Sequence, residues 1–187
     1  TPQALFLQSR VSGLKPQFIH YFDPGDSYLG GEFFFGREDS VTHHPIDEDD
    51  FDQLLSLGFA SPGIFSAISY FVCLVAYFKS LGRENANCLV HPHYSRESHL
   101  KVASIVQDLL GKFTQNELDQ KYVDALNESL SDLNSKLEDK FSASDFWKLH
   151  GAGIEISTLI INADNRVNEE EYRSGFNVIV GANAIGR

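Results

Sequence analysis

The chain contains no methionine, although average usage of roughly 2% would supply about four, and it has only two cysteines, Cys73 and Cys88, and one tryptophan, Trp147. Neither cysteine sits in a CxxC pair and both lie in apolar surroundings. That spacing excludes a disulfide scaffold and a zinc ribbon, and it fits a reducing, cytoplasmic setting. Cations are also in short supply, since 15 Lys and Arg face 26 Asp and Glu, a formal net charge of −11. A broad basic surface that coats nucleic acid is therefore not expected, whereas a local groove of backbone N–H groups and a few cations is compatible with this balance. Residues 1–13 lack the long apolar core of a signal peptide. Missing too are a GxxxxGK[ST] phosphate loop, a GxSxG elbow and an HExxH helix, so the chain cannot by itself form a Walker-type nucleotide site or those hydrolase centres. The absence of Met at position 1 and an ending inside an apparent motif, Gly186-Arg187, lead us to expect a segment of a longer protein.

What is present is an ordinary globular composition, 42% hydrophobic and 22% charged over 187 residues. That is enough for one substantial core. The most informative stretch is 155–187, EISTLIINADNRVNEEEYRSGFNVIVGANAIGR. It predicts two buried strands, 156–161 and 177–180, the second running into a turn of small residues over 181–187. Uninterrupted β-branched runs suit strands covered on both faces, and a Gly-containing turn at a strand's carboxyl end is where open α/β sheets meet their ligands.

Further upstream, residues 18–22 read as a strand closed by the turn Asp23-Pro-Gly-Asp26, and 27–36 combine Gly30-Gly31 with three consecutive phenylalanines. Residues 37–53 are acidic and read as a solvated surface segment. Asp47-Glu-Asp-Asp50 superficially resembles a calcium loop, but the required Gly and bidentate Glu are out of register. His43-His44 reads as surface loop. Ser61-Pro62 is an N-cap followed by proline at the first helical position, opening a helix over 63–81. Its apolar run of 64–78 is too short and too quickly followed by Lys79 for a membrane span, so a buried core helix is predicted. A short buried strand over 88–92 follows, then a helix over 98–110 with an apolar stripe at 102, 105, 106, 109 and 110. A second, amphipathic helix over 116–141 is expected to cover the same domain, and Ser142 to cap a shorter helix with Trp147. This alternation predicts an α/β fold, a mostly parallel sheet covered by helices, with an inserted segment around 20–83.

Two spots sit where α/β chemistry belongs. The first is the strand-to-helix corner with His91, Tyr94, Ser95 and Arg96, where hydroxyls, a cation and free helix N–H groups suit a phosphate. The second is 181–187, where small residues let backbone N–H groups approach an anion and Arg187 offers a bidentate donor. His91, His93 and His99 cluster in sequence but straddle a strand end and a helix start. They read as structural or phosphate-contacting, and no metal site is expected.

These stretches resemble the second motor lobe of superfamily-two helicases, specifically the Z-one domain of ATP-dependent restriction and DNA-repair motors. TPQALFLQ at 1–8 is similar to the tail of the third helicase motif, and YLGG at 28–31 to the signature that opens the Z-one region. LVHPHYS at 89–95 is similar to its strand-end segment, and GFNVIVGANAIGR at 175–187 to its strand followed by Gly-Gly-x-x-Leu-x-Arg-Gly. Ala182 stands where the family has its second glycine, and Ile185 where it has leucine. The resemblance implies a RecA-like lobe over 15–187, with 1–14 the end of a preceding lobe or a linker. It implies ATP and Mg2+ as cofactors, with Gly181, Asn183, Gly186 and Arg187 at the nucleotide and Arg187 as the catalytic coupling residue. His91, Tyr94, Ser95 and Arg96 would contact DNA. The preceding helicase lobe and a nuclease subunit or domain are the implied partners, with no membrane. The alternative is a non-enzymatic acidic α/β module whose helix over 116–141 docks another protein. A hydrolase reading finds no nucleophile and base set.

Overall fold

The computed structural model describes residues 47–58, 60–90, 95–161 and 174–181, all within one compact unit. The chain order is α1 (Glu48–Leu57), α2 (Pro62–Ser80), β1 (Asn85–Val90), α3 (Arg96–Phe113), α4 (Gln120–Lys136), α5 (Ala143–Gly151), β2 (Ser157–Ile161) and β3 (Gly175–Gly181). The α/β class is thus observed. Three strands form a wholly parallel sheet in the order β1-β3-β2.

The core is organised on α2. Ser61 holds extended backbone before Pro62, whose fixed φ suits the first helical position and whose missing N–H costs nothing there. At the other end Gly82 adopts φ +71, its N–H bonds the Lys79 carbonyl, and Arg83 N–H bonds the Phe78 carbonyl at 2.9 Å. That is a Schellman ending, and the Arg83 guanidinium over the Phe78 ring at 5.6 Å closes it. Between these ends Ile68, Val72, Cys73, Val75 and Ala76 are completely buried. Residues 62–80 are therefore the centre of the domain, which corrects the expectation of an inserted segment over the last part of 20–83. Among the described residues α2 alone has the length and hydropathy to cross a membrane. It packs instead against α4, α5, α3, α1 and β1.

Small residues bring α4 close to α2. Ser69 Oγ and Ser129 Oγ are 2.6 Å apart, and Cys73 Sγ donates to the Leu126 carbonyl at 3.4 Å. Burial pushes the Cys73 thiol well above its ordinary range. Lys136 lies 4.7 Å from the centroid of the Tyr70 ring and pairs with Asp132 at 3.0 Å. Burial, and secondarily the Asp132 charge, raise the Tyr70 hydroxyl. The stripe expected on the second amphipathic helix is present, with Tyr122, Leu126, Leu130 and Leu133 buried, but the helix is shorter than 116–141. That stripe packs inside the domain. Asn134 explains the early stop: its side-chain amide donates to the Phe141 carbonyl at 2.9 Å and accepts from Phe141 N–H at 2.7 Å. Lys140 adds bonds to the carbonyls of Asn134 and Leu137, satisfying acceptors at the helix end.

Ser142 starts α5 as expected, accepting from Asp145 N–H at 3.0 Å while its hydroxyl donates to the Asp145 carboxylate at 2.7 Å. His150 on the same helix is buried and hydrogen-bonds the Phe113 carbonyl at 2.7 Å, tying α5 to the end of α3. Other expectations need adjustment. Residues 48–53 lie in α1, which buries Leu54, although Asp47, Asp49, Asp52 and Gln53 are exposed. The strand expected as buried over 88–92 runs over Asn85–Val90 and alternates exposed with half-buried residues, Leu89 being 53% exposed. Among the described residues it pairs only with β3, and it is less buried than β3. The aromatic stretch at 18–36, His43-His44 and the boundary at residue 14 lie outside the described residues.

Candidate functional site

Parallel pairing in near-level register brings the carboxyl ends of all three strands to one edge. Val90 of β1 and Ile160 of β2 both stand opposite Val180 of β3, and Ile161 stands opposite Gly181. Helix-facing positions Ala86, Cys88, Val90, Ile160, Phe176, Val178 and Val180 join the core under α2 and α3. Burial on that side pushes the Cys88 thiol up to about 11, which leaves it protonated and unreactive at neutral pH. On the opposite face the buried Asn177 amide donates to Asn87 Oδ1 at 3.0 Å and to the Ser174 carbonyl at 3.1 Å. This pins β1 to β3 away from the edge, a contact that polar residues inside a strand can signal but whose partner only register reveals.

Of the expected site residues, Ser95, Arg96 and Gly181 are described. Beyond β1, Ser95 is the N-cap of α3, in extended backbone with its Oγ accepting from Ser98 N–H at 3.4 Å. Arg96 occupies the first helical position and is exposed. A helix amino end beyond a parallel strand presents its first N–H groups, with their partial positive charge, toward whatever binds there. Of the strand-to-helix corner expected from the sequence, Ser95 and Arg96 are the N-cap and first residue of α3, while His91 and Tyr94 lie outside the described residues. His99, which neighbours them in sequence, is buried in α3 among core residues and takes no place at the edge. His91 and His93 lie outside the described residues.

Gly181 ends β3 at the same edge, and Asn183, Gly186 and Arg187 lie outside the described residues. A Cβ on Gly181 would fall 2.5 Å from the Ile161 carbonyl oxygen and 3.4 Å from the Ile161 Cβ. Glycine is required here because the neighbouring strand approaches that closely. Its small size is consumed by β2, which the sequence reading, attributing it to an approaching phosphate, did not anticipate. Of the expected nucleotide-contacting residues, Gly181 alone is among the described residues. Among the described residues there is no group of three His, Cys, Asp or Glu placed to hold a metal ion.

Ser95 and Arg96 stand at the amino end of α3, where the partial positive charge of the first helix N–H groups favours an anion. No protein-family model, curated protein or solved structure matches the chain.

Proposed function

We propose that this chain is a RecA-like second motor lobe of an ATP-dependent DNA translocase or helicase, a component of a restriction or DNA-repair complex. The observation that supports it is the parallel β1-β3-β2 sheet whose strand ends share one edge, with the capped start of α3 beyond β1 and the segment 182–187 beyond β3. Open α/β sheets bind ligands at that edge, and two of the four stretches that resemble motor-lobe signatures, 89–95 and 175–187, continue from β1 and β3.

In this reading Ser95, Arg96 and the first N–H groups of α3 hold backbone phosphates, with His91 and Tyr94 beside them. Arg187, with Asn183 and Gly186, couples the grip on DNA to the nucleotide held by the preceding lobe, while Gly181 ends β3 ahead of them. ATP and Mg2+ would be bound chiefly by groups outside this chain, which has no Walker loop, and the chain alone is expected to be inactive as an ATPase. Phosphate contacts carry no sequence information, so target choice would fall to a partner such as a nuclease subunit. In the complete cytoplasmic motor, Arg187→Ala is expected to lower DNA-stimulated ATP hydrolysis at least about tenfold while sparing folding. Unchanged stimulation in that variant would contradict the coupling role.

A further inference from the structure

Away from the strand ends, a groove of about 530 Å3 opens between Gly58 at the end of α1, the later turns of α3 and the first turn of α4. Phe65, Ile105, Leu109 and Tyr122 give it an apolar floor. The Phe65 ring stands 5.0 Å from that of Phe113 and 5.8 Å from that of Tyr122, so the floor is held by an aromatic cluster rooted in the core. Lys112 and Lys121 also line the groove, and Asp108, already paired with Lys112, is the sole carboxylate among the lining residues. Lys121 Nζ lies 4.8 Å from the Tyr122 ring centroid, which keeps a cation beside the aromatic floor. In a chain of net charge −11 this lining reverses the prevailing sign.

We propose that this groove docks an acidic peptide segment of a partner protein, one that carries a single aromatic or aliphatic anchor. The anchor would cover Phe65 and Ile105, the half-buried apolar residues of the floor, removing apolar area from water, while flanking carboxylates reach Lys112 and Lys121. The acidic remainder of the domain would repel such a peptide elsewhere, so the groove supplies orientation as well as affinity. Asp108 argues against a nucleic-acid strand as the occupant. A phosphodiester backbone brings charge at every step past that carboxylate, whereas a peptide can leave a neutral residue opposite it. This inference is independent of the motor reading, since it uses none of the residues at the sheet edge.

Fluorescence anisotropy of the full chain with a fluorescein-labelled peptide of Glu and Asp around a central Phe-Leu pair tests it. Saturable, salt-weakened binding is expected, lost when Gln and Asn replace the acids and weakened about tenfold in Lys112→Glu/Lys121→Glu. Lys112→Gln/Lys121→Gln, a milder change at the groove rim, should weaken binding by about threefold. Circular dichroism of both variants should match the parent. Absence of saturable binding, equal affinity for the neutral peptide, or displacement of the peptide by a single-stranded oligonucleotide at equal charge would overturn the proposal.

Discussion

In the helical layer α2 buries Ile68, Val72 and Val75 completely against α4, α5 and α3, and its crossing with α4 is closed by Ser69, Ser129 and Cys73. At the carboxyl edge of the sheet the chain uses a capping serine, an exposed arginine and a glycine whose missing Cβ is replaced by the Ile161 carbonyl. The first region is held by volume, and changes to it are felt throughout the domain. The second is held by backbone geometry, at a helix cap and a strand end. Stability and binding are thus assigned to different residues, and variants can separate them.

The largest effect is expected in the helical layer. Phe113, fully buried between Phe65 and Tyr122, should cost about 3–5 kcal/mol on replacement by alanine, read as a lowered urea midpoint. A loss under about 1 kcal/mol would mean that the layer is not packed as described. Gly181→Ala comes next, because the added methyl group meets backbone rather than a movable side chain. About 1–3 kcal/mol of destabilisation is expected without any ligand present. If stability were unchanged and only nucleotide or DNA response fell, the glycine would belong to a binding loop rather than to strand packing. Smallest is Ser142→Ala, which removes the cap of α5 from an exposed position and should cost about 1 kcal/mol, with Ser142→Asp restoring most of it.

The parts of this fold that were legible in the sequence are those with local causes. Pro62 announces α2 through its fixed φ and Ser142 announces α5 through capping chemistry, and the stripes of α3 and α4 repeat at helical spacing. The β-branched run of β3 identifies a strand covered on both faces, and the alternation of elements correctly indicates a parallel sheet. Other features depend on contacts distant in sequence. Nothing local says that Asn134 will bond Phe141 and stop α4, that His99 turns into the core, or that Ile161 will stand against Gly181. β1 was harder still, since an outer strand differs from a central one only in what lies beside it, and Leu89 in sequence looks as apolar as Ile179. Of the candidate site, the corner at Ser95 and Arg96 was legible because a strand followed by a capped helix is a local pattern. The packing reason for Gly181 was not.

The division between packing and binding is tested most directly at Ser95, which caps α3 and is assigned to hold phosphate. Ser95→Asp keeps a capping acceptor but sets a negative charge at the helix start, so it separates the two roles that alanine would confound. Binding of a fluorescein-labelled single-stranded oligonucleotide should be measured alongside thermal stability for the parent and the variant, at matched salt. The account predicts an unchanged melting temperature and a loss of affinity of at least about tenfold. Equal oligonucleotide affinity in parent and variant, with the helix intact, would contradict a DNA-gripping edge.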